Sequence, residues 1–183
     1  MDYRIVRTAR TTLCIRITQD AQVEVRVPYR TTDAQVAAFV RSKQTWVEAH
    51  LAQMRARKEN RRILTPAQAE LLRQRAKTEI PARVRFYAEK MRVAPRSISF
   101  RPLKSRYGYC TSDKRIVFYD LLLAYPPEAV DYVIVHELAH LLQMNHSKKF
   151  YAVLARILPD HAARRALLVK TLMPLIKEDA DQL

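Results

Sequence analysis

Glycine is almost missing from this sequence, because Gly108 is the single glycine in 183 residues. A position that keeps glycine in such a chain needs a positive φ, a close approach of the backbone to another group, or a simple turn, and we leave these three readings open. Cysteine is also scarce. Cys14 and Cys110 lie far apart, so they cannot form the disulfide framework that stabilises small secreted domains, and we expect reduced thiols.

Long apolar runs are missing too, and none approaches the length that a membrane-spanning helix needs. Residues 1–17 alternate charged and apolar side chains, a pattern that does not resemble a secretory signal peptide. The sequence therefore predicts a soluble, cytoplasmic protein without a membrane partner. Its length allows one domain with a real core, or one domain plus a small appendage.

Basic side chains greatly outnumber acidic ones, and the formal net charge is +15. Residues 1–62 carry 13 basic and 6 acidic side chains, residues 63–126 carry 13 and 5, and residues 127–183 carry 7 of each. The excess therefore lies entirely in the N-terminal two thirds. Such a charge predicts either non-specific binding of polyanions, such as nucleic acid or acidic proteins, or a basic surface that serves solubility.

The first part of the chain reads as strands followed by a helix. Residues 3–27 place apolar side chains at every second position, and this period predicts a small antiparallel β meander. Thr32 or Asp33 can cap the helix that follows. The basic segment Arg55–Arg62 is the predicted linker, so we expect an N-terminal domain over residues 1–62.

The remaining residues, 63–183, mix helices with a short sheet. Thr65 and Pro66 open a long helical pattern, which Pro81 should kink or divide. Two short strands, a helix introduced by two prolines and two amphipathic stretches follow, over Ile98–Arg101, Arg115–Tyr119, Val130–Leu138, Ser147–Leu158 and Asp160–Met173. Strands and helices do not alternate regularly, so the predicted fold class is α+β, with residues 63–183 as a second domain or a continuation of the first.

The segment HELAHLLQMNH, His136–His146, holds three of the five histidines. On the predicted helix His136 and His140 are one turn apart along the axis and about 40° apart around it, so both imidazoles can reach one ion. Glu137 lies beside them, where its carboxylate can bind a water on that ion. This HExxH pattern is typical of zinc sites in which the glutamate is the general base, and an ordinary histidine pair in a core or cap is the alternative.

His146 can join this pair only if the helix ends before it. On a continuous helix it would lie about 9 Å beyond His140 along the axis and about 120° around it. Asn145 tolerates the left-handed conformation that ends helices and Ser147 can cap the next helix, so the sequence favours a turn at Met144–Asn145. That turn would give three nitrogen ligands and an open fourth position, as in catalytic zinc sites. Four other residues are possible third ligands: His161, Asp160, Glu178 and Cys110.

The metal segment resembles that of the YgjP-like metallopeptidases, relatives of the SprT-like and WLM zinc peptidases. HELAH, a histidine six residues later, and the HSKKFY that begins at that histidine fit the family pattern, as do Asp131 and Tyr132 of DYVIVHE. Upstream, RTARTTLCIRI, VEVRVPY and AFVRSKQTWV resemble the family's N-terminal strands and first helix. The resemblance therefore covers nearly the whole chain.

Two stretches depart from the family pattern. SRYGYC is similar to the family's SRWGSC, with Tyr107 in place of Trp and Tyr109 in place of Ser. In RIVFYDLLLAYPPEAVDYV, Tyr119 and Asp120 stand where the family usually has Asn and Trp. The resemblance thus says more about the metal ligands than about the substrate pockets.

The resemblance implies a zincin-like α+β core, with the HExxH helix beside a short sheet. It implies one zinc ion held by His136, His140 and His146, with Glu137 as the catalytic carboxylate. The implied reaction is hydrolysis of peptide bonds in a protein or peptide substrate, in which the glutamate passes a proton from water to the leaving amine.

Several residues could complete such a site. The oxyanion needs a donor, and the candidates for this role or for substrate contact are Arg106, Tyr107, Tyr109, Tyr119 and Tyr151. Asp131 or Asp120 could orient one imidazole. The alternative function is a nucleic-acid-associated basic protein, whose metal site acts on DNA-bound proteins or only stabilises the fold.

Overall fold

The computed structural model describes residues 2–170 and 172–177. Contacts divide the chain into two compact units, Met1–Arg61 and Arg62–Leu183. In the first unit the elements are β1 (Arg4–Thr8), β2 (Cys14–Ile17), β3 (Val23–Pro28), α1 (Asp33–Ser42) and α2 (Gln44–Glu59). None of the described helices combines the length and the apolar character that crossing a membrane requires.

The sheet of the first unit has the order β1-β3-β2, with β3 parallel to β1 and antiparallel to β2. The predicted antiparallel meander is therefore wrong in strand order and in the direction of one pair. Period-two alternation identifies strands but does not say which strands are neighbours. β3 is the central strand of this sheet, and its three valines, Val23, Val25 and Val27, are at most 4% exposed.

Two helices cover this sheet where the sequence indicated one. Thr32 caps α1 through its side chain, which accepts a hydrogen bond from the Gln35 N–H. The helical pattern is interrupted at Lys43, and α2 then continues to Glu59, so most of the predicted linker is helical. Val36, Val40 and Val47 on these helices pack against the valines of β3 and form the core of this unit.

The second unit begins with a short strand, β4 (Ile63–Leu64), and a long helix, α3 (Pro66–Met91). Thr65 caps α3 with a reciprocal bond to Gln68, as the sequence predicted. Pro81 does not divide the helix. Burial of α3 side chains on both sides of Pro81, including Ile80 and Val84, offsets the hydrogen bond that the proline removes.

A three-stranded sheet follows, made of β5 (Ser97–Arg101), β6 (Gly108–Cys110) and β7 (Arg115–Tyr119). Its order is β5-β7-β6, with β7 parallel to β5 and antiparallel to β6. The sequence predicted β5 and β7 but not β6. This short edge strand begins at Gly108, which has a negative φ, so neither the positive-φ reading nor the turn reading of this glycine is correct.

The last elements are a 3-10 turn (Leu122–Ala124), α4 (Pro127–Ala139), α5 (Lys148–Ile157), α6 (His161–Val169) and β8 (Leu175–Ile176), which pairs with β4. Nearly all of α4 is buried, because it packs against α3, α5, α6 and β6. The HExxH segment therefore lies on the central helix of this unit. Helices and small sheets together make the fold α+β, as predicted.

Candidate active site

Helix α4 ends before His146, as binding of one ion by all three histidines requires. The regular helix stops at Ala139, and the N–H groups of Leu142 and Gln143 both donate to its carbonyl. The regular helix thus ends earlier than expected, whereas the chain bends at Met144 and Asn145 as predicted, although Asn145 is not among the described residues with positive φ. A sequence of tight turns, without a left-handed residue, leads to Ser147, which precedes α5 but makes no side-chain cap.

This turn brings three imidazoles together. The ring nitrogens of His136, His140 and His146 lie within 4.8 Å of one another, and the Nε2 atoms of His136 and His146 are 3.1 Å apart. Ring centroids are separated by 4.8–5.0 Å in all three pairs. Three nitrogens at such spacing could hold one metal ion.

The ring of Phe150 packs against all three histidines. Its ring centroid is 4.9 Å from that of His136 and 4.8 Å from those of His140 and His146, and the side chain is fully buried. Because α5 begins directly after the turn, Phe150 packs from α5 against histidines of α4 and of the turn. The aromatic ring offers no competing hydrogen-bonding group to the imidazoles.

The second ring nitrogens have partners of their own. His140 Nδ1 lies 3.1 Å from the Gln143 carbonyl, to which it can donate, and this leaves Nε2 for a metal. The Tyr132 hydroxyl is 3.5 Å from His136 Nδ1. Neither carboxylate proposed from the sequence takes this role in the described structure, because Asp120 pairs with Arg73 at 2.9 Å and Asp131 with Arg83 at 3.0 Å.

Burial lowers the pKa of His136 and of His140 and so keeps both imidazoles neutral. Loss of solvation, together with the nearby His140 and His146, lowers the pKa of His136 to about 3. Burial also lowers the pKa of His140, against the opposing effect of its bond to the Gln143 carbonyl. Neutral imidazole is the form that binds a metal, so the site is prepared for a cation at ordinary pH.

Glu137 faces the same region from α4. Its side chain is only 5% exposed, and Oε2 is buried without a hydrogen-bond partner among the described residues. Burial raises the pKa of Glu137 to about 8, although the charge of Arg106 and a hydrogen bond with the Cys110 backbone act in the opposite direction. A buried carboxylate with an unused oxygen fits a neighbouring cation and a bound water.

The lack of a side chain at Gly108 leaves space for the Glu137 carboxylate. A Cβ at this position would lie 3.1 Å from Cγ and from Oε1 of Glu137. Of the three readings open for this glycine, close approach of the backbone is therefore confirmed. Strand β6 can lie against the glutamate only because residue 108 has no side chain.

The five candidate contact residues divide into two groups. Arg106 and Tyr107 line a cavity that reaches His136 and Glu137, although the Tyr107 hydroxyl already donates to the Leu168 carbonyl at 3.1 Å. Tyr109 lies under the Arg106 guanidinium at 5.6 Å, outside the lining of that cavity. Tyr119 is a buried core residue of β7, and so it does not line the cavity either.

Tyr151 is 43% exposed, and its ring centroid is 6.5 Å from that of His146. It therefore lies at the edge of the histidine cluster. The sequence missed Arg165 of α6, which lines the same cavity as Arg106. Helical spacing places Arg165 on α6, but no local pattern says that α6 faces the metal helix.

Three of the four other possible third ligands do not join the cluster. Within the described residues the metal-competent group consists of the three histidines and includes none of Asp160, His161 and Cys110. Asp160 pairs with Arg164 at 2.8 Å. Burial raises the pKa of Cys110 to about 11, which keeps it a thiol. Glu178 lies outside the described residues.

Comparisons with known proteins identify the family of this chain. The family model described as YgjP-like, metallopeptidase domain matches residues 11–68 and 57–171. No curated protein matches the chain. Among solved structures it is similar to the crystal structure of the metallopeptidase zymogen of Pyrococcus abyssi abylysin, with 19% identity over 53% of this chain and 99% of that chain and a TM-score of 0.46. The family match spans most of the sequence, and the chain belongs to the YgjP-like metallopeptidase family.

Proposed function

We propose that this chain is a zinc peptidase in which His136, His140 and His146 hold one zinc ion. The observation that carries the proposal is the set of three ring nitrogens within 4.8 Å of one another. Three imidazoles from a helix and the turn after it leave a fourth position open, which is the pattern of catalytic zinc sites. Neutral nitrogen ligands favour zinc over magnesium or calcium, which prefer oxygen.

Glu137 acts as the general base in this proposal. Bound zinc would supply the Lewis acidity that polarises the scissile carbonyl and makes water acidic. Glu137 accepts the proton of the attacking water on its unpartnered oxygen, Oε2, and delivers it to the leaving amine. Although burial raises the pKa of this carboxyl to about 8, a cation beside it would favour the ionised form that accepts a proton.

The edge of the sheet at β6 is the proposed place for the substrate backbone. Among the described strands β6 pairs only with β7, so it is an edge, and its Gly108 lies against Glu137. An extended peptide that pairs with this edge would pass directly in front of the carboxylate.

The test combines zinc content with cleavage of an unfolded protein for the wild type and three variants. Glu137→Gln should keep one zinc per chain and lose cleavage by at least about 100-fold, because only the proton acceptor is removed. His146→Ala should bind zinc at least about 100-fold more weakly. His161→Ala is the matched control, a histidine outside the cluster, and should change neither quantity.

Two results would contradict the proposal. Full cleavage by Glu137→Gln would mean that Glu137 is not the base. Unchanged zinc affinity in His146→Ala would mean that His146 is not a ligand and that the ion, if bound, is held by other groups.

A further inference from the structure

A cavity of about 270 Å³ opens beside the proposed catalytic groups. It lies between α4, α6 and the start of β6, and His136 and Glu137 form part of its wall. The apolar part of the wall consists of Tyr107, Val133, Leu168 and Val169. A space of this size suits one amino-acid side chain rather than a longer segment of substrate.

Two arginines, Arg106 and Arg165, line this cavity from different elements, in addition to His136 and Glu137. Arg106 precedes β6 and lies close enough to Glu137 for its charge to act on the carboxylate. Arg165 is on α6, and its charge acts on His136 and on Tyr132. Neither guanidinium forms an ion pair with a carboxylate anywhere in residues 2–170 and 172–177.

Ion pairs are plentiful elsewhere in this unit, and they anchor the helix that presents Arg165. Arg164, the preceding residue, pairs with Asp160 at 2.8 Å and approaches Asp131 of α4 to 3.8 Å. Asp131 also pairs with Arg83 of α3. Thus Arg164 forms ion pairs that connect α6 to α4, while the next residue, Arg165, lines the cavity and forms no ion pair with any described carboxylate.

We infer that Arg106 and Arg165 bind a carboxylate of the substrate next to the scissile bond, so that the peptidase selects acidic substrates. This inference rests on the proposed function, because it places the bond at the histidine cluster and Glu137. An aliphatic stem would pack on Val133 and Leu168, while its carboxylate would be held by one or both guanidinium groups. Glutamate combines such a stem with such a head group.

A peptide can supply the carboxylate in two ways. One is an acidic side chain beside the cleaved bond, and the other is the C-terminal carboxylate of a substrate that is cut near its end. Both would fit two arginines above an apolar wall. Peptides that differ only in these groups distinguish the two sources.

The experiment uses the zinc-loaded full chain and a set of quenched fluorescent peptides. Glu, Gln or Leu is placed in turn on each side of the scissile bond, and a further pair, cut near its end, carries a C-terminal acid or amide. We expect kcat/KM to be at least about tenfold higher for the Glu peptide than for the Gln peptide, or for the acid than for the amide. A ratio within twofold of unity for both comparisons would overturn the inference.

Substitution of the arginines tests whether they cause any preference for a substrate carboxylate. Arg165→Ala should reduce the Glu-to-Gln or acid-to-amide ratio at least about fivefold, and Arg165→Lys should restore part of it. Arg106→Ala should also reduce the ratio. Arg156→Ala, an exposed arginine of α5, is the control and should leave it unchanged. A ratio that survives both alanine variants contradicts the inference.

A binding measurement separates this inference from the proposed mechanism. Glu137→Gln should bind the uncleaved Glu or acid peptide at least about fivefold more tightly than its neutral counterpart, and Arg165→Ala in that background should abolish the difference. Equal binding of the paired peptides would overturn carboxylate recognition. If binding is selective but Glu137→Gln still cleaves, the general-base assignment fails while carboxylate recognition stands.

Discussion

Gly108 lies so close to Glu137 that a Cβ at residue 108 would be 3.1 Å from the Cγ and Oε1 atoms of the glutamate. A methyl group at residue 108 would also meet the Val117 carbonyl at 3.1 Å, so it cannot move away from the glutamate without disturbing β7. Gly108→Ala should therefore displace the Glu137 carboxylate and lower kcat by about 10–100-fold, with zinc content unchanged. Ser112→Ala, in the exposed turn after β6, is the control. Wild-type kcat in Gly108→Ala would show that the carboxylate is not confined.

Glu137 should destabilise the metal-free protein at alkaline pH. Its pKa is 4.5 when solvated and about 8 in the fold, so the folded state binds more protons and stability falls as pH rises from about 4.5 to 8. Glu137→Gln removes this loss. Urea unfolding should find the metal-free variant more stable than wild type by on the order of 3 kcal/mol at pH 9, and by much less at pH 5. The same difference at both pH values would contradict the prediction.

Phe150 should be required both for stability and for metal binding. Truncation to alanine leaves a cavity under three imidazoles and should cost about 3–5 kcal/mol of unfolding free energy, with weaker zinc binding. Phe150→Leu fills more of the space and should cost less. Tyr151→Ala, the exposed neighbour, should cost under about 1 kcal/mol in the same urea titrations. Equal losses of unfolding free energy in the two alanine variants would show that packing of Phe150 against the histidines is not important for stability.

The uneven charge predicts sequence-independent binding of nucleic acid. Fluorescence anisotropy with a duplex of about 30 base pairs should detect binding at 50 mM salt that weakens at least about tenfold at 200 mM. Arg55→Glu with Lys58→Glu, in the basic two thirds, should weaken it further. The same reversal at Lys148 and Lys149 should matter less, because residues 127–183 have no excess charge. No binding at 50 mM salt would leave solubility as the role of these charges.

Local pattern was sufficient for the parts of the site that are close in sequence. HExxH places His136, Glu137 and His140 through helical spacing alone, and the caps at Thr32 and Thr65 follow from side chains that reach backbone three residues away. The bend at Met144–Asn145 was predicted, but the end of the regular helix at Ala139 was not; there the N–H groups of Leu142 and Gln143 both donate to the Ala139 carbonyl.

Features that depend on distant neighbours were not accessible in the same way. The parallel pairing of β1 with β3 cannot be read from an alternating pattern, because that pattern is identical for either neighbour. Strand β6 is three residues long, too short for periodicity to identify. Arg165 meets the cavity only because α6 packs on α4, and nothing within α6 distinguishes it from Arg164.

The site thus has a local part and a part assembled across the chain. His136 and His146 are ten residues apart, and Phe150 follows four residues later, so the proposed metal cage has very low contact order. The cavity needs residues near 106, 133 and 165, which only the completed unit brings together. The proposed metal site and the proposed substrate pocket therefore depend on different parts of the chain, so we expect substitutions in β6 and α6 to change the preferred substrate more than the affinity for zinc.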